Sequence, residues 1–206
     1  MIPVSLYELA ARSIPSGSHI LNFGCGSVFS FETITYAKRC INFSCDVVRP
    51  AYIPPVVDTF FVASVETPVG IDKAFDVVTF FEVVEHIDKT EELMKNCFRV
   101  LKPNGLLIFS FPNLASLYGR VELLLGFQPH ILEISNERSD FGTGIFGKWN
   151  GNGNGSIHHI RGITYRAMME CVRHHGFDIV KAYGYEYRIP WLFRYFPGVA
   201  PIDLIV

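Results

Sequence analysis

The stretch Ile20-Leu21-Asn22-Phe23-Gly24-Cys25-Gly26 is a short apolar run that ends in two glycines separated by one residue. Such a run before a glycine pair is typical of a strand that ends in a tight turn. Because glycine has no Cβ, the chain can turn sharply there and a ligand can approach the bare backbone. A helix that follows the turn would direct its free N–H groups at the same place. The stretch therefore predicts a ligand site at the end of a strand.

The segments that follow alternate between strand and helix patterns. Strands are predicted over residues 19–23, 41–46, 59–63, 75–84, 105–111 and 177–185, and helices over residues 6–13, 29–39, 90–101 and 164–175, the last with Thr164 as N-cap. The final residues, 202–206, fit an antiparallel strand. This alternation predicts an α/β fold: a doubly wound, Rossmann-like, mostly parallel seven-stranded sheet with a final antiparallel strand and helices on both faces.

Composition limits the classes of protein that this chain can belong to. Its 206 residues fit one domain, residues 1–206, and 18 basic against 20 acidic residues leave a formal charge of −2. That balance gives no general attraction to nucleic acid, so we expect no nucleic-acid partner. No apolar run reaches the roughly 18 to 20 residues of a membrane-spanning helix. We therefore expect a soluble protein without a transmembrane segment.

The amino terminus and the cysteines bear on the compartment. The first nine residues lack the basic start and long apolar centre of a secretory signal, which favours a cytoplasmic location. The five cysteines are an odd number and contain no Cys-x-x-Cys pair, so we expect neither disulfides nor zinc. Adjacent side chains diverge, so His158-His159 and His174-His175 do not by themselves form a metal site, and no metal is expected.

A long segment, residues 112–160, interrupts the alternation of strands and helices. Some fifty residues stand where a crossover normally needs far fewer. A helix is predicted over residues 114–125, and Gly151-Asn152-Gly153-Asn154-Gly155 is a low-complexity tract. We interpret the insertion as a lid over the strand ends. For residues 140–156 a disordered surface loop is the alternative.

Three motifs together resemble those of class I S-adenosylmethionine-dependent methyltransferases. They are residues 20–26, Phe75-Asp76-Val77-Val78 with Glu82-Val83-Val84-Glu85-His86, and Arg99-Val100-Leu101-Lys102-Pro103-Asn104-Gly105. The resemblance covers residues 19–180. Phe111-Pro112-Asn113, His159-Ile160-Arg161 and Gly176-Phe177 are similar to the ubiquinone O-methyltransferase and methionine-biosynthesis-type families of small-molecule methyltransferases.

The resemblance implies S-adenosyl-L-methionine as cofactor and assigns residues to it. Gly24 and Gly26 would lie against its methionine part and ribose, and Asp46 would accept hydrogen bonds from the ribose hydroxyls. A turn or cap carboxylate is the alternative for Asp46. Further cofactor contacts are implied for Asn22, Cys25, Ser64, Val65 and Glu82. For Glu82, a role in lining the pocket and a role in structural support are equal alternatives.

The resemblance also implies an acceptor side of the site. His86 is the candidate general base, because imidazole titrates near neutral pH and an acceptor hydroxyl must lose its proton. The alternative is that Glu85 and His86 cap or orient the next helix. His159 and Arg161 are candidate substrate residues that close the lid, with a simple surface role as the alternative.

These residues predict methyl transfer to a small-molecule acceptor, with oxygen favoured over nitrogen. An aromatic segment, Trp191-Leu192-Phe193-Arg194-Tyr195-Phe196, would suit a lipophilic pocket or a membrane surface and modestly favours a lipophilic acceptor, although buried C-terminal packing explains the segment better. The oligomeric state stays open.

Three departures from the family pattern keep a second hypothesis open. Asn22 stands where an aspartate is usual, Val28 where a third glycine is common, and Ser64 where an acid commonly binds the adenine amino group. They motivate a catalytically silent methyltransferase-like module that binds a nucleoside or a partner. A nicotinamide-dependent oxidoreductase is remote, because the third glycine and a Tyr-x-x-x-Lys arrangement are missing.

Overall fold

The computed structural model describes residues 5–71, 74–149, 155–186 and 194–206. Within these residues the strands are β1 His19–Phe23, β2 Ile41–Asp46, β3 Thr59–Val62, β4 Phe75–Phe81, β5 Leu101–Pro112, β6 Ala182–Tyr185 and β7 Ile202–Ile205. They form one seven-stranded sheet in the order β3-β2-β1-β4-β5-β7-β6. Strands β1 to β5 pair in parallel, whereas β7 runs antiparallel to both β5 and β6. The predicted fold class is confirmed.

Helices cover both faces of the sheet. They are α1 Leu6–Ala11, α2 Ser30–Ala37, α3 Thr90–Val100, α4 Leu117–Leu124, α5 Gly144–Trp149 and α6 Tyr165–His174, with a 3₁₀ turn over Val84–His86. A Ser5–Glu8 capping box begins α1, and the predicted N-cap Thr164 accepts the amide of Ala167 at the start of α6.

The strands bury one layer of apolar side chains on each face. On one face Leu21 and Val78 pack with buried residues of α3 and α6, such as Leu93 and Met168. On the other face many of the buried residues come from α1, α2 and the alternate strand positions; they include Leu6, Leu9, Ala10, Phe31, Ile20 and Val77. A sheet covered on both sides binds ligands beyond the carboxyl ends of its strands. That edge is where β1, β2 and β4 end.

Strands β4 and β6 are shorter than predicted, each for a local structural reason. Strand β4 ends at Phe81 rather than at residue 84, because Glu82 adopts a left-handed backbone (φ 54°) and a 3₁₀ turn follows. Strand β6 begins at Ala182, not at residue 177, because the ring of Phe177 instead packs edge-on against Phe98 of α3 at 5.6 Å.

The insertion between β5 and α6 is joined at its base. Asn113 and Ile163 form a bridge, and the amide of Leu114 donates to the carbonyl of Ile163 at 2.8 Å. Inside the insertion a second bridge joins Arg138 to Gly155. The low-complexity positions 151–154 and the aromatic positions 191–193 lie outside the described residues.

In the described parts of the chain, no helix has both the length and the hydropathy needed to span a membrane.

Candidate functional site

The glycine turn and Asp46 meet at the carboxyl edge of the sheet. Because Phe23 pairs with Cys45, strands β1 and β2 end side by side. The amides of Gly24 and Cys25 both donate to the carbonyl of Cys45, at 2.8 and 3.2 Å. One residue on, the Gly26 amide donates to Oδ2 of Asp46 at 2.9 Å. The structure therefore places Gly26 in direct contact with the Asp46 carboxylate and Gly24 against the neighbouring Cys45 carbonyl.

The two glycines have different surroundings although both have left-handed backbones, with φ of 67° at Gly24 and 64° at Gly26. A Cβ at Gly24 would lie 2.5 Å from Cγ2 of Val83, whereas a Cβ at Gly26 would meet nothing within 4 Å. Gly24 thus lets the turn pack against the loop after β4. Gly26 leaves open space beside Asp46, whose Oδ1 receives, among the described residues, only a long 3.4 Å contact from the Val48 amide.

The side chain of Asn22 points into the core rather than toward the turn. Its amide Nδ2 donates to Oε1 of Glu32 at 2.7 Å, and its Oδ1 accepts the hydroxyl of Thr79 at 2.9 Å. Ser44 donates to the same Glu32 oxygen at 2.8 Å. This network joins β1, β2 and β4 to α2. Because it engages the Asn22 side chain, the predicted cofactor contact of Asn22 is left to its backbone and stays a prediction.

Cys25 lies within the turn as an unreactive thiol. Its Sγ contacts the carbonyl of Gly26 at 3.6 Å. Burial, with the nearby carboxylates of Glu32 and Asp46, raises the pKa of this thiol to about 12. A neutral thiol is a poor nucleophile, so Cys25 fits a packing role in the turn.

Ser64 and Val65 follow β3 at the same edge, since Val62 pairs with Asp46. The Ser64 hydroxyl accepts the Glu66 amide at 3.2 Å. The Val65 carbonyl accepts Nδ2 of Asn96 at 2.9 Å, which ties the loop after β3 to α3. Their cofactor roles stay predictions.

Two carboxyl groups lie close together beyond the end of β4. Oε1 of Glu82 accepts the hydroxyl of Ser110 at 2.7 Å. Glu85 is completely buried, and neither of its carboxyl oxygens has a hydrogen-bond partner among the described residues. Burial raises the pKa of Glu82, and burial together with the charge of Glu82 raises the pKa of Glu85.

Glu85 is a buried residue to which the sequence assigned no cofactor or substrate contact. The alternative for Glu85 and His86 was to cap or orient the following helix, and the structure shows the capping contacts at Glu66. Its Oε1 accepts the amides of Asp88 and Lys89, at 2.8 and 3.0 Å, just before α3 begins. The buried position of Glu85 depends on the 3₁₀ turn, which the continuous apolar pattern of residues 75–84 did not indicate.

The predicted residues His86, His159 and Arg161 come together around Glu85. The amides of Ile160 and Arg161 donate to the Glu85 carbonyl at 2.9 and 3.2 Å. The Arg161 guanidinium donates to the carbonyl of Ile87 at 2.7 Å and also to that of Asp88. Arg161 therefore holds the end of the insertion against the loop after β4.

The two imidazoles flank the buried carboxyl group. Nε2 of His86 and Nε2 of His159 each lie 3.8 Å from Oε1 of Glu85, and the two rings are 4.8 Å apart edge-on. Burial, the largest effect, lowers the pKa of His159. We expected no metal site because adjacent histidines diverge. The structure instead combines histidines from distant parts of the chain.

A cavity of about 560 Å³ lies at the other end of the sheet, where β5 begins. Phe98, Lys102, Asn104 and Gly176 are among its lining residues. None of the predicted site residues lines it, so it is separate from the edge described above.

The comparison with protein families decides the classification. A family model described as a methyltransferase domain matches residues 4–182. The chain belongs to this methyltransferase domain family. The predicted family is confirmed, and S-adenosylmethionine is the cofactor that the family and its named relatives imply.

Curated relatives of this methyltransferase-family chain match only in part. A probable S-adenosylmethionine-dependent methyltransferase of Mycolicibacterium smegmatis is 33% identical over 102 residues, which are 48% of this chain and 39% of the relative. A ubiquinone biosynthesis O-methyltransferase of Xanthomonas axonopodis pv. citri is 27% identical over 125 residues, 54% of this chain and 50% of the relative. The chain thus spans half or less of the length of these relatives.

A solved structure supports the fold over nearly the whole chain. It is a S-adenosylmethionine-dependent methyltransferase of Thermotoga maritima, described as a possible histamine N-methyltransferase. The TM-score is 0.63 at 16% identity, covering 97% of this chain and 84% of that one. At this identity the likeness shows the fold of methyltransferases.

Proposed function

We propose that this protein transfers a methyl group from S-adenosylmethionine to an oxygen of a small-molecule acceptor. The observation that carries the proposal is the contact between the Gly26 amide and the Asp46 carboxylate, 2.9 Å, beside open space. A carboxylate with spare acceptor capacity suits a pair of ribose hydroxyls, where charge-assisted hydrogen bonds contribute roughly 1.5 to 3 kcal/mol. The residues present therefore fit the donor.

In this proposal the chain holds the donor along the carboxyl edge. Asp46 binds the ribose, the backbone of the Gly24–Gly26 turn lies against the sugar and the methionine part, and Ser64 with Val65 borders the adenine. Glu82 lies toward the methionyl end. The bound donor supplies an activated methyl group on a sulfonium, so the protein's main contribution is to hold the reactants in line.

The acceptor side is proposed at Glu85, His86 and His159. An oxygen acceptor must give up its proton, and Nε2 of His86 is the candidate proton acceptor. Oxygen is favoured because one relative is named a ubiquinone biosynthesis O-methyltransferase.

The insertion over residues 112–160 is proposed as the lid. Arg161 and the Ile160 amide fasten its end to the loop after β4, next to the acceptor position. Helix α4 carries exposed apolar side chains, with Leu124 84% exposed and Leu117 49% exposed. These residues support a lipophilic acceptor. A cytoplasmic location and the absence of a nucleic-acid partner stay predictions.

Transfer of a labelled methyl group tests this function. The folded protein is incubated with methyl-labelled donor and a small-molecule extract, and label is followed into organic-soluble and water-soluble products. We expect labelled product with the natural protein and at least tenfold less with Asp46→Ala. Absence of label across varied extracts, in a protein that binds the donor, would contradict methyl transfer.

The second candidate is the catalytically silent binding module. It is favoured by Ser64, whose hydroxyl is already bonded to the Glu66 amide, and by the carboxylate of Glu66, which is engaged with the start of α3. Ser64 therefore offers an adenine amino group only its second lone pair, and a neutral hydroxyl is a weaker acceptor than a carboxylate. Donor binding without any product would support this module.

A further inference from the structure

The carboxyl group of Glu85 is the starting point for a further site. It is fully buried, and within the described part of the chain neither oxygen accepts a hydrogen bond. Burying a carboxyl group without a partner costs several kcal/mol, and a second carboxyl group, Glu82, is close enough to raise its pKa. Unsatisfied buried groups of this kind call for a ligand or a functional explanation.

Both neighbouring imidazoles present a lone pair to this carboxyl group. Nδ1 of His86 lies 3.0 Å from the carbonyl of His158, and Nδ1 of His159 lies 2.8 Å from the carbonyl of Ile131. A carbonyl only accepts hydrogen bonds, so each Nδ1 carries the proton and each Nε2 of the neutral ring is free. Metal-binding histidines are oriented in this way, by a carbonyl on the other ring nitrogen.

The distances suit one ion between the three side chains. The candidate ligand atoms of Glu85, His86 and His159 all lie within 4.8 Å of one another, and both imidazole Nε2 atoms are 3.8 Å from the Glu85 oxygen. Ligands about 2.0 to 2.2 Å from a zinc-sized ion lie somewhat closer to each other than this in tetrahedral geometry. Binding would shorten the two Nε2–Oε1 separations of 3.8 Å by a few tenths of an ångström and the widest separation, up to 4.8 Å, by roughly 1 to 1.5 Å, which rotation of the two partly exposed imidazoles supplies.

We propose that Glu85, His86 and His159 form a binding site for one divalent transition-metal ion. Two imidazoles and one carboxylate are a donor set typical of zinc and of first-row metals such as cobalt and iron, and imidazole ligands disfavour magnesium and calcium. Three protein ligands leave coordination positions open. The side chain of His86 is 36% exposed and that of His159 16%, so the open side faces solvent.

The consequence for chemistry rests on the proposed function. An acceptor hydroxyl that binds the ion becomes more acidic and releases its proton to water, since a bound metal lowers the pKa of a coordinated oxygen. Nε2 of His86 is then a ligand instead of a base. The site thus selects acceptors that present an oxygen able to coordinate a metal.

Cobalt titration tests the site without donor or acceptor. Protein made without a histidine tag and treated with chelator is titrated with Co²⁺, followed by its visible absorption bands, and then with Zn²⁺ in competition. We expect one Co²⁺ per chain, displaced by Zn²⁺. Glu85→Gln and His159→Asn should each weaken binding by at least about tenfold. The control His174→Asn changes an exposed histidine outside the cluster and should leave binding unchanged.

Folding and donor binding are measured on the same samples by circular dichroism and by calorimetry with S-adenosylhomocysteine. A folded natural protein that binds no Co²⁺ or Zn²⁺ stoichiometrically would overturn the proposal. Glu85→Gln and His159→Asn variants that bind the metal as tightly as the natural protein would overturn it as well. If either result is found while S-adenosylhomocysteine still binds, the proposed metal site is contradicted and the proposed donor site is not.

Discussion

At the scale of single residues, Gly24 and Gly26 do different work in the same turn. Both have positive φ, which any larger residue adopts only with strain. At Gly24 the space for a Cβ is filled by Val83, whereas at Gly26 it is open. Gly24 is therefore required for packing against Val83. In the proposed function, Gly26 is required because the donor occupies the open space beside it.

Alanine substitutions separate these two requirements. Gly24→Ala should lower the free energy of unfolding by about 2 to 4 kcal/mol, from backbone strain and a clash with Val83. Gly26→Ala should lower the free energy of unfolding only by the backbone strain, about 1 to 2 kcal/mol. Relative to this loss of stability, it should weaken S-adenosylhomocysteine binding more than Gly24→Ala does. Urea unfolding and calorimetry measure both quantities. Adding Val83→Ala should recover stability in the Gly24 variant alone; equal recovery in both would contradict the packing account.

Asn22 is matched to Glu32 rather than to a ligand. Because Asn22 donates to the Glu32 carboxylate at 2.7 Å, Asn22→Asp replaces a donor with a second acceptor in the buried network. We expect a loss of about 1 to 3 kcal/mol in the free energy of unfolding, read from urea titration. The double variant Asn22→Asp with Glu32→Gln restores a donor and should recover much of the loss. Additive losses in the double variant would show that the two side chains are not coupled.

At the scale of elements, β7 carries a buried acid into the sheet. Asp203 is fully buried, and its Oδ1 accepts the Gly198 amide at 2.9 Å. Burial raises the pKa of Asp203 to about 7, well above its value in an unfolded chain. Between about pH 4 and 7 the folded state therefore keeps a proton on Asp203, whereas the unfolded state has lost it.

This difference in proton binding predicts how stability changes with pH. The free energy of unfolding should fall as pH rises from 4 to 7, because the unfolded chain binds fewer protons than the folded one. Asp203→Asn does not titrate, so its stability relative to the natural protein should increase by a few kcal/mol over that range. Urea titrations at pH 4, 5.5 and 7 measure it, with the exposed Asp178→Asn as control. Parallel pH curves for the natural protein and Asp203→Asn would refute it.

Element boundaries show where sequence patterns are sufficient. Strands β1 and β2 end where predicted, because apolar alternation and a following turn residue both mark the end. The end of β4 was missed, because the apolar pattern continues through Val84 while the backbone of Glu82 turns left-handed. Leu101 joins β5 because it pairs with Phe75 before the Pro103-Asn104-Gly105 irregularity.

At the scale of the whole molecule, the predicted sheet brings the ends of β1, β2 and β4 to one edge. This topology, together with the resemblance to methyltransferases, predicted that Gly26 and Asp46 would lie together. It did not predict the position of His159, because the path of the insertion depends on long-range contacts such as that between the Ile160 amide and the Glu85 carbonyl. Nor did the sequence reveal that Asn22 faces Glu32, since that depends on which face of β1 packs against α2.

The most direct test of the donor site is calorimetric titration of S-adenosylhomocysteine into the folded protein and into Asp46→Ala. We predict one site per chain, with an affinity that loss of the carboxylate weakens about 10- to 100-fold. Asp178→Ala, at the opposite end of the sheet, should bind like the natural protein. No heat of binding at millimolar ligand, or equal affinity with and without the Asp46 carboxylate, would contradict the convergence of the glycine turn and Asp46 on one donor molecule.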